Sequence, residues 1–137
     1  MGNTKIIFVG NYKGGVGKTT SVLNFAEYFS IYKNQITGDK NKVLVLDIDP
    51  QSSLSEILVK NGTQKELNGL SANETLNYIF DLNILKIEKY NSLNLEFDNS
   101  KLIKSYNGLF DFIPSSLFYE NNHKSLGLDA LVLKMKD

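Results

Sequence analysis

Residues Lys13 to Thr20 read K-G-G-V-G-K-T-T, standing between an apolar run, Ile6 to Val9, and a stretch of helical periodicity from Val22. A glycine-rich loop joining a strand to a helix leaves several backbone N–H groups unpaired and aimed at one spot. The helix dipole adds partial positive charge there, so anions collect. Gly14, Gly15 and Gly17 let the backbone curl around a phosphate, Lys18 supplies a mobile point charge, and the Thr19 hydroxyl can ligand a magnesium ion. The octet reads as a nucleotide phosphate cradle. A mere glycine-rich turn with two unrelated lysines would not need a strand pattern before it and a helix pattern after it.

Working outward, Lys5 to Gly10 reads as a buried parallel strand, because its four consecutive apolar residues are too few for a helix face. From Lys18 to about Tyr32 the residues Val22, Phe25, Ala26 and Phe29 recur at helical spacing, with Glu27 and Lys33 left for solvent. Asn34 to Asn41 is a surface connection. Lys42 to Ile48, K-V-L-V-L-D-I, is a second buried strand whose end carries Asp47 and Asp49, then Pro50 and Gln51. In open α/β sheets the ligand lies outside the carboxyl ends of the strands, so both aspartates are expected at the nucleotide. Residues two apart on a strand share a face, and both carboxylates could address one magnesium–phosphate centre. The competing reading is a turn, which D-x-D-P also starts well.

The spacing narrows the class. The general pattern G-x-x-x-x-G-K-[ST] requires a glycine five residues before Gly17, where Tyr12 stands. The variant that begins with a lysine, Lys13, matches completely. With D-I-D-P-Q at Asp47 to Gln51 following in the right order, the chain resembles the deviant Walker A ATPases of the ParA/MinD family, on the ParA side. Ile113-Pro114-Ser115-Ser116 resembles the family's strand that precedes Walker B. The resemblance implies a P-loop NTPase-like α/β fold, a mostly parallel sheet flanked by helices. It covers the N-terminal part of that fold as one domain over 1–137, with the Walker B and C-terminal parts absent and one side of the sheet left open. It implies ATP and Mg2+ as cofactors. Lys13, Gly14, Gly15, Val16, Gly17, Lys18, Thr19 and Thr20 would hold the phosphates, Thr19 would ligand magnesium, and Asp47 would hold it through water. Asp49 would orient the attacking water, and Lys13 would reach the phosphates of a partner in a nucleotide-sandwich dimer. Lys13, Lys18 and Asp49 are thus the catalytic candidates.

Composition bounds these readings. The chain has 137 residues, 42% hydrophobic and 11% aromatic, enough for one core. Fifteen acidic residues balance fifteen basic ones, so no net field draws the chain to nucleic acid or a membrane. Every basic residue is lysine, which removes an arginine finger and bidentate arginine contacts to phosphate. A catalytic lysine such as Lys13 fits that absence. Without cysteine there are no disulfides, thiolate metal sites or iron–sulfur ligation, which excludes the family's iron-protein branches. An N-K-x-D base-reading motif is missing, which argues against GTP. No run is long enough to span a bilayer, and the N-terminus lacks a basic segment followed by a long apolar one; a cytoplasmic location follows as the expectation.

Beyond Gln51, Ser52 to Val59 reads as a short helix capped by Ser52 or Ser53, and Asn61 to Ala72 as a polar loop. Asn73 introduces a helix over Glu74 to Leu82 with Leu76, Ile79 and Phe80 on one face. Asn83 to Asn107 carries no assignment. Gly108 to Ser116 is a strand in which Asp111 is structural, since apolar residues continue past it. His123 is a solvated residue. Ser125 to Asp137 places Leu128, Leu131, Val132 and Met135 at helical spacing, a core or interface helix too weakly basic to target a membrane.

Two functions are open at this point. One is a ParA-like ATPase of plasmid or chromosome partition, forming an ATP-dependent homodimer and stimulated by a ParB-like partner, as in the family. The other is a non-catalytic nucleotide-binding chain that heterodimerises with a longer relative. DNA binding by this chain alone is not expected from its balanced charge.

Overall fold

A computed structural model describes residues 4–11, 13–14, 16–33, 38–81, 100–116, 119–121 and 124–126. Helix α1 (Lys18–Ile31) starts where the glycine loop ends, with Gly17 at its N-cap. Its far end is closed by Asn41, whose side-chain amide donates to the carbonyls of Phe29 and Tyr32 at 3.1 and 2.9 Å. Those are two of the carbonyls a helix leaves unpaired.

Val22, Leu23 and Ala26 turn α1 toward the core, and Ser30 is buried on the same side. Phe25 and Phe29, expected on the buried face, instead lie partly open, Phe25 being 51% exposed. At 100° per residue, positions 22, 23, 26 and 30 define the buried stripe, and 25 and 29 fall on its flank. There they pack on one another and, with Tyr28 and Tyr32, make a tier of aromatic contacts along the helix.

The sheet has the order β1-β3-β2. Strand β1 (Leu44–Leu46) is parallel to β3 (Phe110–Ile113), with Val45 opposite Phe112. Strand β2 (Lys104–Tyr106) pairs antiparallel to β3. Asn107 and Gly108 join them with φ of 51° and 71°, and the Leu109 N–H donates to the Tyr106 carbonyl at 2.9 Å. Two successive left-handed residues make the tight turn whose twist suits a hairpin. The Asn-Gly pair, at the boundary between the unassigned stretch and the strand expected from Gly108, is a sequence signal for this turn. The fold is α/β as expected, with a mixed sheet: a parallel pair and an antiparallel edge. A separate hairpin pairs β4 (Tyr119–Asn121) with β5 (Lys124–Leu126).

Helix α2 (Ser53–Thr63) lies over the sheet, and its Leu54, Leu58 and Val59 pack with Val45, Tyr106, Phe110, Phe112 and Ala26. It runs four residues past the expected end, through Gly62. A Cβ at Gly62 would stand 3.1 Å from the Tyr106 ring and 3.2 Å from that of Phe112. The helix crosses the strands so closely that glycine is accepted within it. On the other side of β3, Ile113 packs with Leu76 and Leu102. Residues 76–81 are helical, and Ile79 and Phe80 join that cluster, as their spacing implied.

Other expectations change. Lys5 to Gly10 is not a strand: Ile6 is 93% and Phe8 75% exposed. An apolar run specifies a preference for burial, but a strand exists only where its backbone finds a partner. The polar stretch after Asn61 is partly ordered by the 3₁₀ turn Leu67–Gly69, whose Leu67 is buried. The helix expected from Glu74 begins instead after a second 3₁₀ turn, Ala72–Glu74, held by a capping box in which Glu74 accepts from the backbone and hydroxyl of Ser71. The expected terminal helix meets β5 at its first two residues. The remainder of that helix, His123, and residues 82–99 lie outside the described residues.

Candidate nucleotide site

The loop is organised from within. The Lys13 N–H donates to the side-chain oxygen of Asn11 at 3.0 Å, and the Lys18 ammonium donates to the carbonyls of Asn11 and Lys13 at 2.9 and 3.3 Å. Lys18 therefore lies across the loop it belongs to. Gly17, at φ 80°, takes the left-handed conformation that releases the chain into α1, and a Cβ at Gly14 or Gly17 would meet open space. The space beside both glycines is thus open, which leaves room for close approach of a phosphate. Lys13, Gly14, Val16 and Gly17 are exposed, Thr19 is partly buried and Thr20 exposed; Gly15 lies outside the described residues. Asn11 carried no signal in the sequence reading, and its tie to Lys13 emerges only from the folded loop.

The two aspartates sit where β1 ends. The Asp47 N–H still reaches the Ile113 carbonyl at 3.4 Å, so the residue borders the parallel pair. Asp47 is 4% exposed, and its carboxylate turns to the start of α2. Oδ2 accepts from the Ser55 N–H at 2.8 Å and the Ser55 hydroxyl at 2.6 Å, and Oδ1 accepts from the Asp49 N–H at 3.1 Å. Asp47 therefore does the capping that was expected of Ser52 or Ser53, and Ser52 stands at the N-cap without a side-chain cap bond. Burial pushes the Asp47 carboxyl above the ordinary carboxylate range; the bonds from Ser55 and Asp49 oppose this, and the neighbouring Asp49 charge adds to it. Asp49 forms the turn anticipated as the competing reading: its Oδ1 accepts the Gln51 N–H at 3.0 Å, and its carbonyl accepts the Ser52 N–H at 2.9 Å. The structure brings Asp47 and Asp49 together, and Lys13 with Lys18. Among the described residues no hydrogen bond or ion pair joins the loop to the aspartates.

Between the start of α2 and the segment that follows β3 lies a group of buried hydroxyls that sequence reasoning missed. Ser52 and Ser115 share a hydrogen bond at 2.8 Å, and the Ser115 N–H donates to the Ser55 hydroxyl at 2.8 Å. Ser116 exchanges two backbone bonds with the side chain of Asn77. The sequence marks Pro114 to Ser116 only by its resemblance to the family. In the fold it is the segment against which the D-I-D-P-Q turn and α2 are fixed.

The Thr19 hydroxyl and the Asp47 carboxylate are each hard oxygen donors of the kind Mg2+ prefers, and Asp47 Oδ1 keeps a second lone pair beyond the Asp49 N–H. A nearby cation would also offset the burial cost of Asp47.

An α/β fold carrying a lysine-led phosphate loop at the head of α1 defines a P-loop protein. A family model described as an AAA domain matches residues 4–134, and the chain belongs to this ParA-like AAA-domain family. Among its relatives, plasmid partition protein A of Escherichia coli is 35% identical over 71 residues, 52% of this chain and 18% of that protein. The chromosome-partitioning ATPase Soj of Treponema pallidum is 44% identical over 55 residues, 40% of this chain and 18% of that protein. The matched stretches span 13 to 18% of the length of such curated relatives. No solved structure matches the chain significantly. Among the described residues, no helix is long and apolar enough to cross a membrane.

Proposed function

We propose that the chain binds Mg-ATP through Lys13 to Thr20 and acts as a ParA-like ATPase in plasmid or chromosome partition, hydrolysing ATP in a nucleotide-sandwich dimer stimulated by a ParB-like partner. The observation that carries this is the loop itself, with Gly17 left-handed at the head of α1 and the Lys18 ammonium gathered over it. In this role the loop amides and Lys18 bind the phosphates, the Thr19 hydroxyl and Asp47 hold the metal, Asp49 orients the attacking water, and Lys13 neutralises charge in the partner's site. Magnesium, when bound, spreads the phosphate charge that builds up during hydrolysis. The names of the partition relatives support the process.

A second reading has its own observation. Asp47 and Asp49 are each engaged in local bonds, at the α2 cap and the Asp49–Ser52 turn, which favours a chain that binds nucleotide without hydrolysing it and pairs with a longer relative.

Thermal unfolding with and without Mg-ATP, beside Lys18→Ala and followed by phosphate release, tests both. Ligand at 100 times its dissociation constant stabilises a protein by about 2.7 kcal/mol, a readily visible shift for a domain of this size. A shift lost in Lys18→Ala with phosphate release supports the ATPase. The same shift without release supports the second reading, and no shift refutes both.

A further inference from the structure

We propose that Ser55 is the positioning residue for Asp47: its hydroxyl fixes the carboxylate for magnesium and couples it to the Pro114–Ser116 segment at the end of β3. The inference rests on the Mg-ATP reading above and assigns the metal side of that site a residue with no role in it so far.

Ser55 is fully buried, and its hydroxyl is a relay with one donor and one acceptor role filled. It donates to Asp47 Oδ2 at 2.6 Å and accepts the Ser115 N–H at 2.8 Å. A hydroxyl has a single proton, so donation to Asp47 sets its direction, and the Ser115 N–H holds the oxygen from behind. With the Ser55 N–H on the same oxygen, Oδ2 is saturated from α2, leaving Oδ1 as the oxygen from which a metal-bound water could be held.

The anchor behind Ser55 is itself fixed. Ser115 is fully buried; its hydroxyl bonds Ser52 at 2.8 Å and approaches the Asp49 carbonyl at 3.4 Å. Ser52 holds φ 53°, a left-handed conformation that a non-glycine residue keeps where its surroundings determine it. Next in the chain, Ser116 is clamped to Asn77. The carboxylate is thereby tied through one hydroxyl to the end of β3 and, by way of Ser116, to the helical residues 76–81. Outer-shell groups that orient a metal-holding carboxylate typically change metal affinity by about 10- to 100-fold when removed.

The test is a Mg2+ titration of thermal stabilisation at fixed ATP, with a parallel arm in EDTA, on wild type, Ser55→Ala and Ser55→Thr. The expected result is a Mg2+ midpoint raised by about 10-fold or more in Ser55→Ala, with stabilisation by metal-free ATP unchanged and the midpoint restored toward wild type in Ser55→Thr. An unchanged midpoint overturns the inference while the Mg-ATP reading stands. Equal loss of both arms also overturns it, since a merely structural serine would give that result. No nucleotide effect in wild type removes the Mg-ATP reading and this inference together. If Ser55→Ala does not fold, Ser55→Cys, nearly the same shape with a weak donor, undergoes the same comparison with the same outcomes.

Discussion

The side-chain amide of Asn77 pairs with the backbone of Ser116 on both sides, its nitrogen donating to the Ser116 carbonyl and its oxygen accepting the Ser116 N–H, each at 2.8 Å. Asn77 is fully buried, so it does for the end of β3 what a neighbouring strand would do. Asn77→Asp replaces the donor with an oxygen facing a carbonyl. Its expected cost is about 2–4 kcal/mol, read from urea unfolding, and more than that of the smaller but unopposed Asn77→Ser.

Glu74 gives the fold an acid-sensitive joint. Burial works to raise its carboxyl, but the hydroxyl and N–H of Ser71 and the ammonium of Lys104 at 3.2 Å outweigh it and hold the group at about 2. A carboxylate lowered on folding contributes stability above its unfolded value, and that contribution fades as pH falls from about 4.5 toward 2. Glu74→Gln is expected to be less stable than wild type by on the order of 1–2 kcal/mol at pH 6, with the gap closing in this window. Urea midpoints at pH 6, 4 and 3 decide it; a constant gap would assign the loss to packing.

Gly17→Ala separates backbone strain from ligand space. A Cβ there meets no protein atom, so the expected loss of stability is only the cost of the left-handed conformation, about 1–2 kcal/mol. The same methyl stands where the loop must approach a phosphate. The thermal shift with Mg-ATP should therefore disappear while the chain stays folded by circular dichroism.

Gly62→Ala sets helix propensity against packing. Alanine gains up to about 1 kcal/mol within a helix, but the added carbon presses on Tyr106 and the fully buried Phe112. Overpacking of that kind costs about 1–3 kcal/mol, so a net loss is expected in the urea midpoint.

Lys13→Ala distinguishes the two lysines of the loop. Lys18 gathers over its own loop, whereas the role proposed for Lys13 is in a partner's site. Lys13→Ala should keep the Mg-ATP shift that Lys18→Ala loses, and phosphate release by the assembled dimer should fall by at least about 10³-fold if Lys13 substitutes for an arginine finger.

The sequence by itself determined helix α1, the presence of strands within Lys42 to Ile48 and Gly108 to Ser116, and the family. Those signals are local: glycines at fixed spacing with lysines beside them, continuous apolar runs, and an apolar period of 3.6 residues. Tertiary structure alone decided which polar atoms meet. Asp47 caps α2 through Ser55, the third residue of that helix, and Ser115, just past the end of β3 and 60 residues on in sequence, donates its N–H to the Ser55 hydroxyl. No spacing rule encodes that meeting. It depends on the parallel register that sets Leu46 beside Ile113 and brings both strand ends to one edge of the sheet. The apolar run Ile6 to Val9 shows the converse: its composition asks for burial, but only a partner for its backbone could make it a strand.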